Sequence, residues 1–77
     1  MVLTVHARTQ MRKRKVLPTQ VLHVLRNGYV VEHAHRNIKG NWQCTLEALL
    51  AGDQIRVVAA LIADSGGEWV VVITAMN

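Results

Sequence analysis

Apolar residues recur along this chain with two different periods, and the change falls at Gly28. Ahead of that point the spacing is helical. Thr4 is placed to cap a helix from about Val5 to Arg14, in which Ala7 and Met11 share one side. Arg8, Arg12 and Lys15 stack on another side, about one turn apart. So narrow an apolar face means that this helix must lean on the rest of the fold. Residues 2 to 4 read equally well as a short edge strand leading into it. Pro18 suits the first turn of a second helix, where its missing N–H is not needed. Val21, Leu22, Val24 and Leu25 cover one arc of that helix, with Thr19, His23 and Arg26 opposite. Asn27-Gly28 closes it, with the glycine expected in the left-handed conformation.

Beyond Gly28 the period is two. Tyr29 to Arg36 reads as a strand and residues 37 to 41 as a hairpin loop. The next strand alternates cleanly, Trp42, Cys44, Leu46, Ala48 and Leu50 against Gln43, Thr45 and Glu47. A turn is expected at Gly52-Asp53. Ile55 to Ala63 and Trp69 to Met76 are apolar on both faces, joined by residues 64 to 68. The expected fold is α+β: two N-terminal helices on one face of a curved antiparallel sheet of about four strands.

Two strands without alternation belong in the middle of a sheet, buried on both sides. Two short helices cover one face only. The other face calls for a cover, and a second copy of the chain meets that need, with Val58, Ala60, Ile62, Val70 and Val72 as candidates for a two-fold interface. A strongly curled sheet that shields its own face is the rival arrangement.

Composition narrows the class. Seventy-seven residues make one domain, and 51% hydrophobic residues suffice for a core. Phe is absent, so that core is aliphatic. A single cysteine, Cys44, forms no internal disulfide and sits on the inward face of its strand, so the fold relies on packing. No apolar run approaches the roughly 20 residues of a membrane span, and the N-terminus reverses the order of a signal peptide. The expectation is a cytoplasmic protein without a membrane contact.

The distribution of charge says more than its total of +4. Residues 1 to 27 carry Arg8, Arg12, Lys13, Arg14, Lys15 and Arg26 and no acid, a charge of +6. The remainder carries Arg36, Lys39 and Arg56 against Glu32, Glu47, Asp53, Asp64 and Glu68, a charge of −2. A cationic helical half suits a polyanionic partner, whether RNA, DNA or an acidic protein segment. Arg8, Arg12, Lys13, Arg14 and Lys15 are the candidate nucleic-acid contacts, because guanidinium forks match phosphate oxygens. The plain alternative is a solvated helix face.

Four histidines are the remaining chemistry. His33 and His35 lie two apart on a strand and are expected on one face beside Tyr29 and Val31. His6 opens the first helix, and His23 falls on a polar helix face. His6, His33 and His35 are the candidates for proton transfer, since imidazole titrates near neutrality. A histidine pair falls short of the three ligands of a catalytic zinc, so no metal and no cofactor are expected. Arg56, a lone charge on an apolar strand, is expected to pair with Glu32 or Glu47.

Certain of these residues form a familiar series. Thr4-x-His6-Ala7-x-x-x-x-Met11-x-x-Arg14, then Val24-Leu25-Arg26-Asn27-Gly28, then Val71-Val72-Ile73-Thr74, resembles a bacterial domain family of unknown function, DUF4258. The resemblance spans roughly residues 4 to 76. Gln10 stands where the family usually has an arginine before Met11, with Arg8 and Arg12 flanking the gap. The third strand is also richer in apolar residues than in many members. The family is similar in layout to the RelE, ParE and BrnT toxins of toxin–antitoxin pairs, several of which cleave messenger RNA. The resemblance therefore implies a RelE-like layout and an antitoxin-like acidic partner. Two functions follow as expectations: a non-catalytic module binding a polyanion or protein, or a metal-independent endoribonuclease. Fold-level likeness transfers no catalytic residue.

Overall fold

The chain leaves its helices for its sheet at Gly28, and the close approach there sets the packing of the whole domain. The computed structural model describes residues 1–77, the side chain of Asp64 excepted. In chain order the elements are β1 (Val2–Leu3), α1 (Val5–Arg14), α2 (Pro18–Asn27), β2 (Tyr29–Arg36), β3 (Trp42–Leu50), β4 (Asp53–Asp64) and β5 (Gly67–Met76). The strands form one sheet in the order β1-β5-β4-β3-β2. Four are antiparallel neighbours, while β1 runs parallel to β5 through Val2–Val71 and Leu3–Val72. The sheet is thus mixed and five-stranded, because residues 2 to 4 supply both an edge strand and a helix cap.

That cap explains how the N-terminus is held. Thr4 Oγ1 accepts from Ala7 N–H at 3.0 Å and donates to Ile73 C=O at 3.1 Å. One hydroxyl satisfies the first turn of α1 and ties it to β5. Thr4→Val keeps the shape and removes both bonds, so a loss of about 1–2 kcal/mol is expected in urea unfolding.

The helices pack on one face of the sheet, α1 over β5 and α2 over β3 and β4. The core lies between them. Ala7 and Met11 from α1, Val21 and Val24 from α2, and Val16 from the connection meet Ala48, Ile55, Val57, Ala59, Val72 and Ala75. Each wholly buried Val or Ile contributes roughly 1.5–3 kcal/mol by leaving water. As the sequence suggests, Cys44, Leu46, Ala48 and Leu50 of β3 point this way, level with Ala59, Val57 and Ile55 of β4. The helices stop short of one end of the sheet. Trp42 and Leu61 are exposed there, beside a cavity of about 270 Å³ that also touches Leu25, Cys44 and Val70.

Two local expectations change. Gly28 has φ −70° and ψ 166°, extended rather than left-handed. Glycine is required there for space: a Cβ would lie 2.5 Å from the Val24 carbonyl oxygen and 2.8 Å from that of Glu47. The left-handed helix end belongs instead to Lys15, φ 55°, which closes α1. The β3–β4 turn is Ala51-Gly52, both with positive φ, as a two-residue primed hairpin turn demands.

The expected two-fold interface divides between the two faces. Val72 is fully buried under the helices and Val70 faces the same side, because β5 pairs Val70 with Leu61 and Val72 with Ala59. Val58, Ala60 and Ile62 occupy the outer face. Ala60, Thr45 and Glu47 are nonetheless buried on that outer face by the chain itself. The 37–41 loop contributes, with Asn37, Ile38, Lys39 and Asn41 bordering a cavity above Ala60 and Val71. Asn37 Oδ1 holds this loop, accepting from the N–H groups of Lys39 and Asn41 at 3.0 Å each.

Candidate functional site

Two places gather polar chemistry, one on each side of the sheet. The first is α1. Only Ala7 and Met11 of its ten residues are buried, so the rest of its circumference is free for charge. Arg8, Arg12, Lys13, Arg14 and Lys15 are all exposed. Among the described residues none of them forms an ion pair; the pairs present are Arg56–Glu47 and His35–Glu32. Arg8 and Arg12 flank an open groove of about 390 Å³ floored by Leu3, Met11, Val16 and Pro18.

The C-terminal end of α1 concentrates this charge. Val16 N–H donates to Met11 C=O at 2.8 Å and Lys15 N–H to Arg12 C=O at 3.4 Å, the paired bonds of a Schellman ending. Arg12, Lys13 and Arg14 in the last turn complement the negative end of the helix dipole. Lys15 departs from this logic. Its left-handed backbone is the position that glycine normally fills, and a side chain there costs about 1 kcal/mol.

The second place is the face of the sheet turned away from the helices. Register puts Tyr29 and Glu47 side by side, with Arg56 next across β3–β4. Glu47 is buried to 7% exposure, and its Oε1 accepts from Arg56 Nη2 at 3.2 Å and from Gln54 Nε2 at 2.9 Å. Gln54 Nε2 also donates to Tyr29 Oη at 3.1 Å. The expected pairing of Arg56 with a neighbouring acid is present, and Glu47 is the acid. Thr74 Oγ1, on the same face, is the buried side-chain polar atom without a partner among the described residues.

The histidines are dispersed. Register shifts between Val30 and Glu32 and again between Glu32 and His35 break the alternation that would set His33 and His35 side by side. Glu32 and His35 instead lie opposite Thr45 and Gln43, and His35 Nδ1 is 3.7 Å from Glu32 Oε1. His6 is on α1, over β5, whereas His33 and His35 are on the far edge strand. Three inter-strand spacings, roughly 14 Å, separate β5 from β2. Among the described residues no group of three or more His, Cys, Asp or Glu side chains is gathered for a metal. No helix of the described residues is long and apolar enough to cross a membrane.

Sequence reasoning missed Tyr29, Gln54 and Asn77. Asn77 Nδ2 donates to Arg14 C=O at 3.1 Å, and the same residue borders a cavity of about 210 Å³ with Glu47, Gln54, Arg56 and Met76. The end of the basic helix and the polar cluster of the sheet therefore meet at one residue.

Taken together, the elements define a small α+β domain: one layer of two helices, the first strongly cationic, on a mixed sheet. The sequence profile described as Domain of unknown function (DUF4258) matches residues 3–77, and the chain belongs to that family. No curated protein and no solved structure matches it.

Proposed function

We propose that this domain is a non-catalytic module that binds a polyanion, single-stranded RNA in the first instance, through α1. The observation that carries the reading is the set of five exposed cations on one ten-residue helix and its cap, none of them in an ion pair among the described residues. Lys15 adds to it, because a cation occupies a backbone position where glycine would be more stable. A local rule broken in favour of charge is the mark of a residue kept for contact with something else. An acidic protein segment would meet the same surface and is the competing ligand.

Metal-independent RNA cleavage, with His6, His33 or His35 moving protons, has less support. Such a reaction needs its proton-transfer groups around one phosphate, and these histidines are split between α1 and the opposite edge strand. No comparable arrangement of groups favours it.

The test is fluorescence anisotropy of a labelled single-stranded RNA titrated with protein over a range of salt concentrations. Each neutralised phosphate on a single strand contributes about −0.7 to the slope of log K against log salt. Three to five contacts therefore predict a slope between about −2 and −3.5. An absence of binding at low salt would overturn the reading. Lys15→Gly gives an independent check. Thermal or urea unfolding should show a gain of about 1 kcal/mol, while RNA affinity falls. A variant that gains stability without losing affinity would remove Lys15 from the site.

A further inference from the structure

The cavity at Asn77 lies where the basic helix ends, and it is lined by Glu47, Gln54, Arg56 and Met76 as well as Asn77. Arg56 supplies a guanidinium braced at Nη2 by the Glu47 carboxylate, while its side chain stays 52% exposed. The remainder of that planar fork is open to a ligand. Gln54 Nε2 is engaged by Glu47 and Tyr29, which orients its amide and turns its Oε1 into a fixed acceptor. Met76 provides an apolar, polarisable wall, and Asn77 connects the cavity to the Arg14 carbonyl. A volume of about 210 Å³ accommodates one planar heterocycle rather than a side-chain cluster or a whole nucleotide chain.

We infer that this cavity reads a single base, guanine, of a strand whose phosphates rest on the C-terminal end of α1. The inference rests on the reading of α1 as the phosphate contact. Guanine offers O6 and N7 as two adjacent acceptors, which an arginine fork meets with two hydrogen bonds. It also carries N–H donors, and Gln54 Oε1 and the second Glu47 oxygen are acceptors beside the fork. Adenine sets an amino group against the same fork in place of O6 and is rejected. Unpaired strands present their bases in this way, whereas a duplex holds them stacked inside. The acid that braces Arg56 is itself buried, so the fork is positioned before the base arrives.

The experiment compares the full chain with two uridine-rich RNA oligomers that differ in one central position, guanosine or adenosine. Anisotropy should show roughly tenfold tighter binding of the guanosine strand. Arg56→Lys retains the charge beside Glu47 but loses the fork, and should erase that preference while leaving the adenosine strand within about twofold. Circular dichroism and a melting curve establish that the variant is folded, and Gln54→Ala provides a second route to the same loss. Equal affinity for both strands, or a preference that survives Arg56→Lys, overturns base reading and leaves the basic-helix reading standing. Failure of both strands to bind overturns both.

Discussion

Replacing Gly28 with alanine is expected to destabilise the domain by about 2–4 kcal/mol, a large share of the stability of a chain this size. The added methyl would meet two backbone carbonyl oxygens, those of Val24 and Glu47, at 2.5 and 2.8 Å. Neither belongs to a flexible side chain. The first is the acceptor of the Gly28 N–H, which caps α2 at 2.8 Å, and the second is in β3. Relief requires α2 to move away from the sheet, and that movement opens the contact of Val21 and Val24 with Ala48 and Ile55. Urea unfolding of Gly28→Ala beside Asn27→Ala measures the effect, since exposed Asn27 should change stability by less than about 0.5 kcal/mol. Equal effects at the two positions would show that the close approach is not limiting.

Removing charge from α1 should act on binding alone. Arg8→Gln, Arg12→Gln and Arg14→Gln together keep side chains of good helix propensity and similar reach. None of the three guanidinium groups pairs with an acid among the described residues, so the fold loses little beyond a modest favourable dipole term at Arg12 and Arg14. RNA affinity at low salt should fall roughly a hundredfold, and the salt slope should become shallower by about 2. An unchanged slope with a folded protein would place the phosphates elsewhere. The cations left outside α1 and its cap are Arg26, Arg56, and Arg36 and Lys39 near the 37–41 loop, where Arg36 stacks 5.1 Å from the centre of the Trp42 ring.

Much of the architecture was legible because it depends on short-range patterns. Thr4, Pro18 and the arc from Val21 to Leu25 bound and orient the helices before any tertiary contact is known. The alternation of β3 identified its helix-facing side correctly. What escaped was register. Placing the turn at Gly52-Asp53 rather than Ala51-Gly52 shifts every partner between β3 and β4 by two residues and sets Glu47 opposite Val58 instead of Arg56. A non-glycine residue with positive φ at Ala51 is an infrequent choice, so the sequence gives little warning. The irregular β2–β3 pairing was equally hidden, because nothing in Glu32-His33-Ala34-His35 announces a bulge. An acidic partner for Arg56 could be anticipated, but the engagement of Tyr29 and Gln54 around Glu47 depends on both registers and could not. The basic helix depends on neither and could be read directly from its charges.

The two-residue strand β1 joins segments far apart in sequence, with Thr4 Oγ1 reaching Ile73 across 69 positions. All other sheet neighbours are joined by hairpins. Closing a long loop is entropically costlier than closing a short one. The β1–β5 pairing that closes this one is two residue pairs long, supplemented by the Thr4 bonds to Val72 and Ile73 and by Ala7 and Met11 in the core. This junction is therefore the natural point at which the native state opens first, with the three antiparallel hairpins still intact. Amide hydrogen exchange would reveal it as fast exchange at the start of the chain and in α1, ahead of β3 and β4. The helix that carries the charge is held to the sheet by this junction and by its buried Ala7 and Met11, and an occupied site would be recognised by slower exchange along its length.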